Sequence, residues 1–292
     1  PMEAQSWLCG ASLVALPKPS GDLRPVAVGE VWRRLTSKVL AGTVGDQVRA
    51  YLEPVQVGVG SRGGAEAIVH ITRQWLHKSR EDTNKALIML DLENAFNSVD
   101  RAAVLASVTR AVPGLAPWVD FCYKNPSHLL LGGRRVTAAG SAASDPDPAS
   151  MRGIQQGDPL GPLLFALAIQ VAILTARSKT DQQHRGQLDF AAFYLDDGVV
   201  AGSAAAVRFF SDTFRQEAAA LGLMLAVSKC EVVPAAKDAF AFPADLFSGF
   251  EWKVDGNFKF LGAPFGDEAF CAAHTAKRVA KAEHLLKEIG AY

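Results

Sequence analysis

The sequence has little cysteine and no surplus of charge of either sign. Its 292 residues include only four cysteines, which show no paired spacing: Cys9, Cys122, Cys230 and Cys271. This pattern disfavours both a zinc site and a disulfide framework, so an intracellular, reducing compartment, nucleus or cytoplasm, fits best. Thirty basic residues balance thirty acidic ones. Because no global basic field results, any nucleic-acid partner must be held by local patches.

The sequence also lacks a convincing membrane segment. Its first residues, PMEAQSWLCG, have neither the basic start nor the cleavage pattern of a signal peptide. Residues 159 to 176, PLGPLLFALAIQVAILTA, are nearly all apolar, but Pro162, Gln170 and a length at the lower edge for a bilayer argue against lipid. We therefore predict a buried core helix, with Pro162 in its first turn, and no membrane partner.

Helix and strand patterns mix along the chain without strict alternation. Residues 31 to 50 and about 204 to 221 show apolar positions at helical spacing. The run KALIMLD predicts a buried strand that ends in Asp91, and residues 192 to 200, AFYLDDGVV, predict a β-hairpin. A hairpin is also predicted over residues 11 to 30. This mixture indicates an α+β fold with an antiparallel sheet packed on helices.

Two adjacent carboxylates, Asp196 and Asp197, stand on the turn of the AFYLDDGVV hairpin. A plain Asp-Asp-Gly turn is one interpretation, since such turns are common. A metal site is the other, because a second carboxylate adds repulsion unless a cation offsets it. Neighbouring residues of an extended segment point to opposite sides, so we expect Asp196 to be the closer metal ligand.

Asp91 ends a different buried strand and can meet this turn only through the fold. Convergence of the three carboxylates would suit a two-metal site. Two Mg²⁺ ions about 4 Å apart can activate a hydroxyl nucleophile and stabilise the leaving oxygen of a phosphoryl displacement. Mg²⁺ prefers carboxylate oxygens and keeps room for water and substrate phosphates.

Seven segments carry a family resemblance, in the following order: KPSGDLRPVAVGEVWRRLTSKVL, QVGVGSRGGAEAIVH, LDLENAFNSVD, GIQQGDPLGPLLFALAI, FYLDDG, GLMLAVSKCEV and FKFLGAPFG. The last five are similar to the five successive catalytic blocks of reverse transcriptases of the non-LTR (LINE-type) retrotransposon class, and the second resembles a fingers segment of that branch. One block alone is a weak match. Their order and spacing over nearly the whole chain are specific.

The resemblance implies a right-hand polymerase fold. Fingers would span residues 1–85, and the palm would span 86–265 with an interleaved fingers segment at about 110–150; residues 266–292 would begin a thumb. The implied activity is that of an RNA-directed DNA polymerase, which adds deoxynucleotides to a primer. Its partners would be an RNA template, a DNA primer and deoxynucleoside triphosphates. The chain would belong to a longer polyprotein with an endonuclease.

The resemblance also assigns the catalytic residues. Two Mg²⁺ ions, or Mn²⁺, would be held by four residues: Asp91, Leu92, Asp196 and Asp197. Lys229 would approach the leaving pyrophosphate as a general acid, a role that needs a cation near the departing oxygen. An ordinary solvated lysine is the alternative for this position.

Further residues are assigned to substrates in the same way. Lys18 and Arg24, on the first hairpin, would hold the incoming triphosphate, unless this is simply a solvated hairpin. Phe96 would lie beneath the sugar and exclude a ribose hydroxyl, or would be a core aromatic. The residues expected under the templating base pair, where small side chains let the backbone approach the nucleotide, are Gly153, Gln156 and Gly157. The residues expected at template phosphates, or else as surface charges of a helix, are Arg33, Arg34 and Lys38.

Two other functions share most of these features. An RNA-directed RNA polymerase has the same palm and both aspartates, and Phe96 argues against it because an aromatic ring leaves no space for a ribose hydroxyl. A catalytically inactive or domesticated remnant would bind nucleic acid without polymerising. The intact aspartates argue against decay.

Overall fold

The computed structural model describes residues 2–17, 21, 23–131, 134–135, 149–237 and 239–290. Its helices are α1 Met2–Leu8, α2 Val31–Leu52, α3 Gly64–Ser79, α4 Ala95–Ser98, α5 Arg101–Ala111, α6 Ala116–Tyr123, α7 Gly161–Gln183, α8 Ala204–Ala220 and α9 Glu268–Ile289. Short 3₁₀ turns cover Pro113–Leu115, Val227–Lys229 and Ala244–Phe247. Its strands are β1 Ala11–Pro17, β2 Leu23–Gly29, β3 Lys85–Leu90, β4 Ser127–Leu131, β5 Arg134–Arg135, β6 Ala149–Ser150, β7 Leu188–Tyr194, β8 Asp197–Ser203, β9 Glu231–Pro234, β10 Glu251–Trp252, β11 Phe258–Phe260 and β12 Ala263–Phe265.

The central sheet has the strand order β10-β9-β3-β8-β7. All its pairings are antiparallel except that of β10 with β9. Strand β3 is buried on both faces, and its side chains alternate between two hydrophobic clusters. Ile88 and Leu90 share one cluster with residues of α7 and α8, while Leu87 and Met89 share the other with α3 and the β11–β12 hairpin. The predicted antiparallel sheet packed on helices is therefore confirmed.

Helix α7 is the core helix that the sequence predicts. Most of its residues between Gly161 and Ile173 are buried, and Pro162 lies in its first turn. It is long and apolar enough to cross a membrane by length and composition alone, but 67% of its most apolar window is buried inside the protein. The Gln170 side chain, also buried, donates hydrogen bonds to the carbonyl oxygens of Tyr51 and Leu52, which fix α7 against α2. A core helix therefore explains this apolar run.

The hairpin predicted over residues 11 to 30 forms as β1 and β2, from the pair Ala11–Gly29 to the pair Pro17–Leu23. Strand β4 joins β1 in parallel, with Ala11 opposite Leu129. The hairpin is thus tied to the segment near residues 127–131. The division into fingers, palm and thumb, with its interleaved fingers segment, stays a prediction.

The terminal helix α9 begins at Asp267, whose carboxylate caps it by accepting a hydrogen bond from the Phe270 amide at 2.8 Å. Along its described length, Glu268–Ile289, it buries no residue. Its apolar residues, including Leu286 and Ile289, are open to solvent.

Candidate active site

The sheet register brings Asp91 to the Asp-Asp turn. Strands β3 and β8 pair antiparallel with Leu90 opposite Gly198. Asp91 follows Leu90, and Asp197 precedes Gly198, so the two carboxylates leave the sheet at the same edge. Asp196 lies in the two-residue turn between β7 and β8, next to Asp197. The strand register therefore places Asp91 at the same end of the sheet as the Asp196–Asp197 turn, as the sequence predicts.

The charges of this cluster act on one another. Burial and the neighbouring Asp91 carboxylate raise the pKa of Asp196, while the Arg24 guanidinium opposes this rise. Burial, Asp196 and Asp91 together raise the pKa of Asp197 to about 6. Burial and the nearby carboxylates thus both disfavour the charged forms of Asp196 and Asp197. A cation at this point would offset the repulsion between the carboxylates.

The segment around residues 224–230 borders Asp91. The Ala226 amide donates to the Asp91 carbonyl at 2.9 Å, and the Glu93 amide donates to the Met224 carbonyl at 2.8 Å. These two bonds flank Leu92, which pairs with Leu225 without bonding to it. The backbone carbonyl of Leu92 therefore faces away from this segment. Since the Leu92 side chain is apolar and buried, this carbonyl is the atom through which Leu92 could bind a metal.

The oxygen atoms available at this site are of the type that Mg²⁺ prefers. Carboxylate and carbonyl oxygens are hard ligands, and Mg²⁺ completes its octahedron with waters and substrate phosphates. Within the described part of the chain, no three His, Cys, Asp or Glu side chains approach one another as a ready-made metal cluster. The fit to Mg²⁺ therefore rests on the chemical type of these oxygen ligands.

A cavity of about 460 Å³ opens beside the Asp-Asp turn. This volume suits a small-molecule ligand. Its lining residues come from β2, from the segment after β3, from the start of α7 with the loop before it, and from the turn itself: Arg24, Phe96, Gln155, Gln156, Gly157, Asp158, Pro159, Gly161, Pro162 and Asp196. Four of the residues predicted to bind substrate therefore share one cavity. Gly153, also predicted to bind substrate, is not among the lining residues, and the predicted Lys18 lies outside the described residues.

Phe96 forms part of both the core and the cavity wall. Its ring is half-buried and stacks on Phe165 of α7, with centroids 4.7 Å apart and planes 19° apart. It also lines the cavity that contains Asp196. The two sequence interpretations of Phe96 are thus compatible, because one face packs while another part of the ring borders the cavity.

Two predicted glycines serve contacts within the protein. Gly153 has φ +69°, and a Cβ there would clash with the backbone of Asn97. Gly157 has φ +123°, and a Cβ there would lie 2.5 Å from the Ala27 carbonyl oxygen. The Gln156 carbonyl accepts a hydrogen bond from the Ala27 amide at 2.6 Å. Close contacts with the protein's own backbone therefore explain the small size of both glycines, and their predicted approach to a nucleotide stays a prediction.

Arg33 does not reach template phosphates, and this prediction is wrong. Its side chain is 2% exposed and forms an ion pair with Asp158 at 2.7 Å. It also donates to the Cys9 carbonyl at 2.6 Å and to the Gln155 side chain at 2.7 Å. Arg33 lies on the face of α2 that also buries Ser37 and Val48. Its position on the buried face of the helix therefore places the Arg33 side chain in the protein interior.

Arg34 and Lys38 lie on the exposed part of α2, where phosphate contacts remain possible, and their role stays a prediction. Lys229 is exposed at the end of a 3₁₀ turn, and its amide donates to Ala226 at 2.8 Å. The next residue, Cys230, places its Sγ 3.5 Å from the Asp91 amide nitrogen. Lys229 thus directly precedes a residue that contacts the Asp91 backbone. Its part in proton transfer stays a prediction.

Sequence reasoning missed Gln155 and Asp158. Asp158 accepts from Arg33, from the Tyr123 hydroxyl at 2.7 Å and from the Leu160 amide at 3.0 Å. Both residues line the cavity. The signal was present in GIQQGDPLG, where a charged residue stands before the apolar first half of a helix and therefore needs a partner.

Comparisons with known proteins agree with this geometry. Residues 16–265 match the family described as "Reverse transcriptase (RNA-dependent DNA polymerase)". The retrotransposable element SLACS 132 kDa protein of Trypanosoma brucei gambiense is 31% identical over 232 residues, which are 80% of this chain and 18% of that protein. A Pol polyprotein from the type-2 retrotransposable element R2DM of Drosophila melanogaster is 26% identical, over 73% of this chain and 20% of that protein. The chain thus spans about a fifth of the length of these relatives.

Solved structures share the fold. Telomerase from Candida albicans, in complex with a fragment of telomeric RNA, superposes with a TM-score of 0.58 over 90% of this chain and 45% of that one, at 9% identity. Telomerase from Candida tropicalis, without ligand and truncated, gives a TM-score of 0.55 over 88% of this chain and 53% of that one, at 10% identity. At such identities the likeness concerns the fold alone.

Proposed function

Because the chain belongs to the reverse transcriptase (RNA-dependent DNA polymerase) family, we propose that it adds deoxynucleotides to a DNA primer along an RNA template. In this reaction the primer 3′-hydroxyl attacks the α-phosphorus of the incoming triphosphate, a new P–O bond forms, and pyrophosphate leaves with its bonding electrons. One observation carries the proposal: the β3–β8 register brings Asp91 to the Asp196–Asp197 turn at a nucleotide-sized cavity.

The carboxylates of this turn are proposed to hold two Mg²⁺ ions, with the Leu92 carbonyl as a further oxygen ligand. When bound, such ions lower the pKa of the attacking hydroxyl and stabilise charge on the leaving oxygen. Mn²⁺ offers similar coordination. Beside burial, neighbouring carboxylates contribute to the raised pKa values of Asp196 and Asp197, and a bound cation would offset that contribution, which supports this assignment.

The other residues are proposed to bind and orient the nucleotide. Arg24 lines the same cavity as Asp196 and would hold triphosphate oxygens by charge-assisted hydrogen bonds. Phe96 would support the sugar, and Gln156 with Gly157 would border the templating pair. Lys229 would donate a proton to the departing pyrophosphate oxygen. Lys18 keeps its predicted role beside Arg24 as a proposal from the sequence alone.

The macromolecular partners are proposals too. Arg34 and Lys38 offer exposed cations for the phosphates of a template. The relatives are proteins of retrotransposable elements, two of them described as Pol polyproteins, which supports a place for this chain in a larger retroelement protein. An endonuclease in the same protein, and a location in the nucleus or cytoplasm, complete the proposal.

Primer extension tests this function. The protein is incubated with an RNA template, a labelled DNA primer and Mg²⁺, with deoxynucleotides in one reaction and ribonucleotides in the other. We expect extension with deoxynucleotides, loss of extension when Mg²⁺ is chelated, and loss with Asp196→Asn. Extension with ribonucleotides only would favour an RNA polymerase, and binding without extension would favour an inactive remnant.

A further inference from the structure

A buried glutamine holds the turn that carries the two aspartates. Gln56 lies in the loop between α2 and α3 and is fully buried. Its Oε1 accepts a hydrogen bond from the Leu195 amide at 2.8 Å, and its Nε2 donates to the Leu195 carbonyl at 3.0 Å. The Gly58 amide also donates to Oε1, at 3.1 Å. One side-chain amide therefore binds both peptide groups of the residue that precedes Asp196.

Leu195 is a residue for which such support matters. It occupies the first position of the two-residue turn and has φ +58°. Hairpin turns with a positive φ at this position favour glycine, asparagine or aspartate, and a side chain such as leucine makes the conformation costly. The Leu195 carbonyl belongs to the peptide that joins Leu195 to Asp196. The hydrogen bond from Gln56 therefore fixes the plane of that peptide.

Backbone hydrogen bonds on both sides of Gln56 hold it next to Leu195. The Val57 amide donates to the Phe193 carbonyl at 2.9 Å, and the Phe193 amide donates to the Val55 carbonyl at 2.7 Å. Residues 55–57 thus run in parallel beside the end of β7. At Gly58, an added Cβ would lie 2.6 Å from the Leu195 backbone nitrogen. A glycine there leaves the space in which Gln56 and Leu195 meet.

We propose that Gln56, with Gly58, is a positioning residue for the metal-binding turn. It acts through Leu195 and sets the direction in which Asp196 and Asp197 present their carboxylates. This inference rests on the proposed function, because it concerns the same metal site. Groups that hydrogen-bond to metal ligands and orient them affect metal affinity or activity by about 10- to 100-fold in other proteins.

The test compares two buried glutamines. Gln56→Met keeps the length of the side chain and removes both hydrogen bonds to Leu195. Gln170→Met is the matched control, because Gln170 is also buried and donates to two backbone carbonyls, but those belong to α2 at Tyr51 and Leu52. Both variants lose hydrogen bonds between a buried side-chain amide and the backbone. Only the first loses contact with the aspartate turn.

Three readouts are measured on the full chain: the melting temperature, amide hydrogen exchange of a peptide spanning residues 193–198, and the Mg²⁺ concentration that gives half-maximal primer extension. Mn²⁺ binding, followed by electron paramagnetic resonance, replaces the last readout where extension is absent. For Gln56→Met we expect faster exchange at the turn and a metal requirement raised by about 10-fold or more. For Gln170→Met we expect a similar fall in melting temperature with wild-type exchange at the turn and a metal requirement within about 2-fold of wild type.

Equal metal requirements and equal turn exchange in the two variants would overturn the proposal. If Gln56→Met does not fold, Gly58→Ala replaces it, since that variant keeps Gln56 and displaces Leu195. It should change exchange and metal requirement in the same direction, and wild-type values would likewise overturn the proposal. Failure of the proposed function appears differently, as a wild-type protein that extends no primer while the exchange and Mn²⁺ measurements still separate the variants.

Discussion

Two aspartates line the same cavity in opposite electrostatic settings. Asp158 is buried and pairs with Arg33 at 2.7 Å, and it accepts further hydrogen bonds from the Tyr123 hydroxyl and the Leu160 amide. Burial and the Asp158 charge raise the pKa of Tyr123, which keeps that hydroxyl a donor. The charge of Asp158 is therefore balanced by the protein itself.

Asp196, in contrast, faces carboxylates. Burial and Asp91 raise its pKa, and the exposed Arg24 opposes this only in part, since the resulting pKa is still raised. Asp197 adds a second charge of the same sign at the turn. A position in the cavity wall is therefore not enough to identify a catalytic carboxylate. The charge of Asp158 is neutralised by Arg33 of the same protein, whereas Asp196 and Asp197 lie beside other carboxylates, where metal cations from solution could bind.

The largest expected effect comes from neutralising a carboxylate of the proposed metal site. Asp91→Asn or Asp196→Asn should reduce nucleotide addition on the order of 10³-fold or more, because metal ions supply several kcal/mol of transition-state stabilisation. Neither variant should lose stability, since each removes like-charge repulsion. Primer extension and thermal melting measure the two quantities side by side. Asp197→Asn should cost less activity than Asp196→Asn if Asp196 is the closer ligand.

Breaking the balanced pair should affect folding. Arg33→Met leaves the Asp158 carboxylate buried beside a neutral side chain and should cost about 3–5 kcal/mol in the free energy of unfolding. Replacing both partners, as Arg33→Met with Asp158→Asn, should recover part of this loss, because the asparagine is neutral and its amide oxygen can still accept a hydrogen bond from Tyr123 or from the Leu160 amide. Denaturant unfolding provides the measurement. Lys179→Met is the control, because its ion pair with Glu217 is partly exposed and worth about 0.2–1 kcal/mol.

A smaller stability change should accompany a change in specificity at Phe96. If the ring limits space at the sugar, Phe96→Val should still add deoxynucleotides and gain ribonucleotide incorporation. If the ring only stacks on Phe165, the variant should lose about 2–4 kcal/mol of stability and keep its sugar preference. Incorporation of both sugars, measured beside the melting temperature, separates these results. An unchanged sugar ratio in a folded variant would exclude the gating role.

The smallest expected effect is a pH dependence from Asp197. Its pKa rises from an unfolded value of about 3.9 to about 6 in the folded protein, so the folded state binds more protons between these values. The contribution of Asp197 to stability should therefore fall as pH rises through this window. Asp197→Asn should flatten that part of the melting profile, and Mg²⁺ should diminish the difference between variant and wild type. Identical profiles of melting temperature against pH for both proteins without Mg²⁺ would contradict the raised pKa of Asp197.

Much of this arrangement was predictable from the sequence. The α+β polymerase fold and the membership of a non-LTR retrotransposon class of reverse transcriptases are confirmed. The approach of Asp91 to the Asp-Asp turn was predictable because each stands at the end of a strongly apolar strand. Such strands are buried on both faces and therefore belong to the centre of a sheet. Family motifs in order supplied the pairing that periodicity alone leaves open.

The remainder depended on contacts between distant segments. Arg33 and Arg34 are adjacent and chemically identical, and only the packing of α2 decides that the first is buried and the second exposed. Gln56 stands 139 positions before Leu195, and a lone glutamine in a glycine-rich loop carries no signal of such a partner. Gly153 is needed by Asn97 for the same kind of reason. Sequence patterns predict elements well and their side-chain partners poorly.

The central claim is that the carboxylate turn is a metal-dependent polymerase site. The most direct test is the rate of deoxynucleotide addition to a primer on an RNA template as Mg²⁺ is titrated, for wild type and for Asp196→Asn. We predict addition that rises with Mg²⁺ for wild type and none above background for the variant at equal folded concentration. Equal addition by the two proteins, or wild-type addition that is independent of any divalent ion, would contradict the claim.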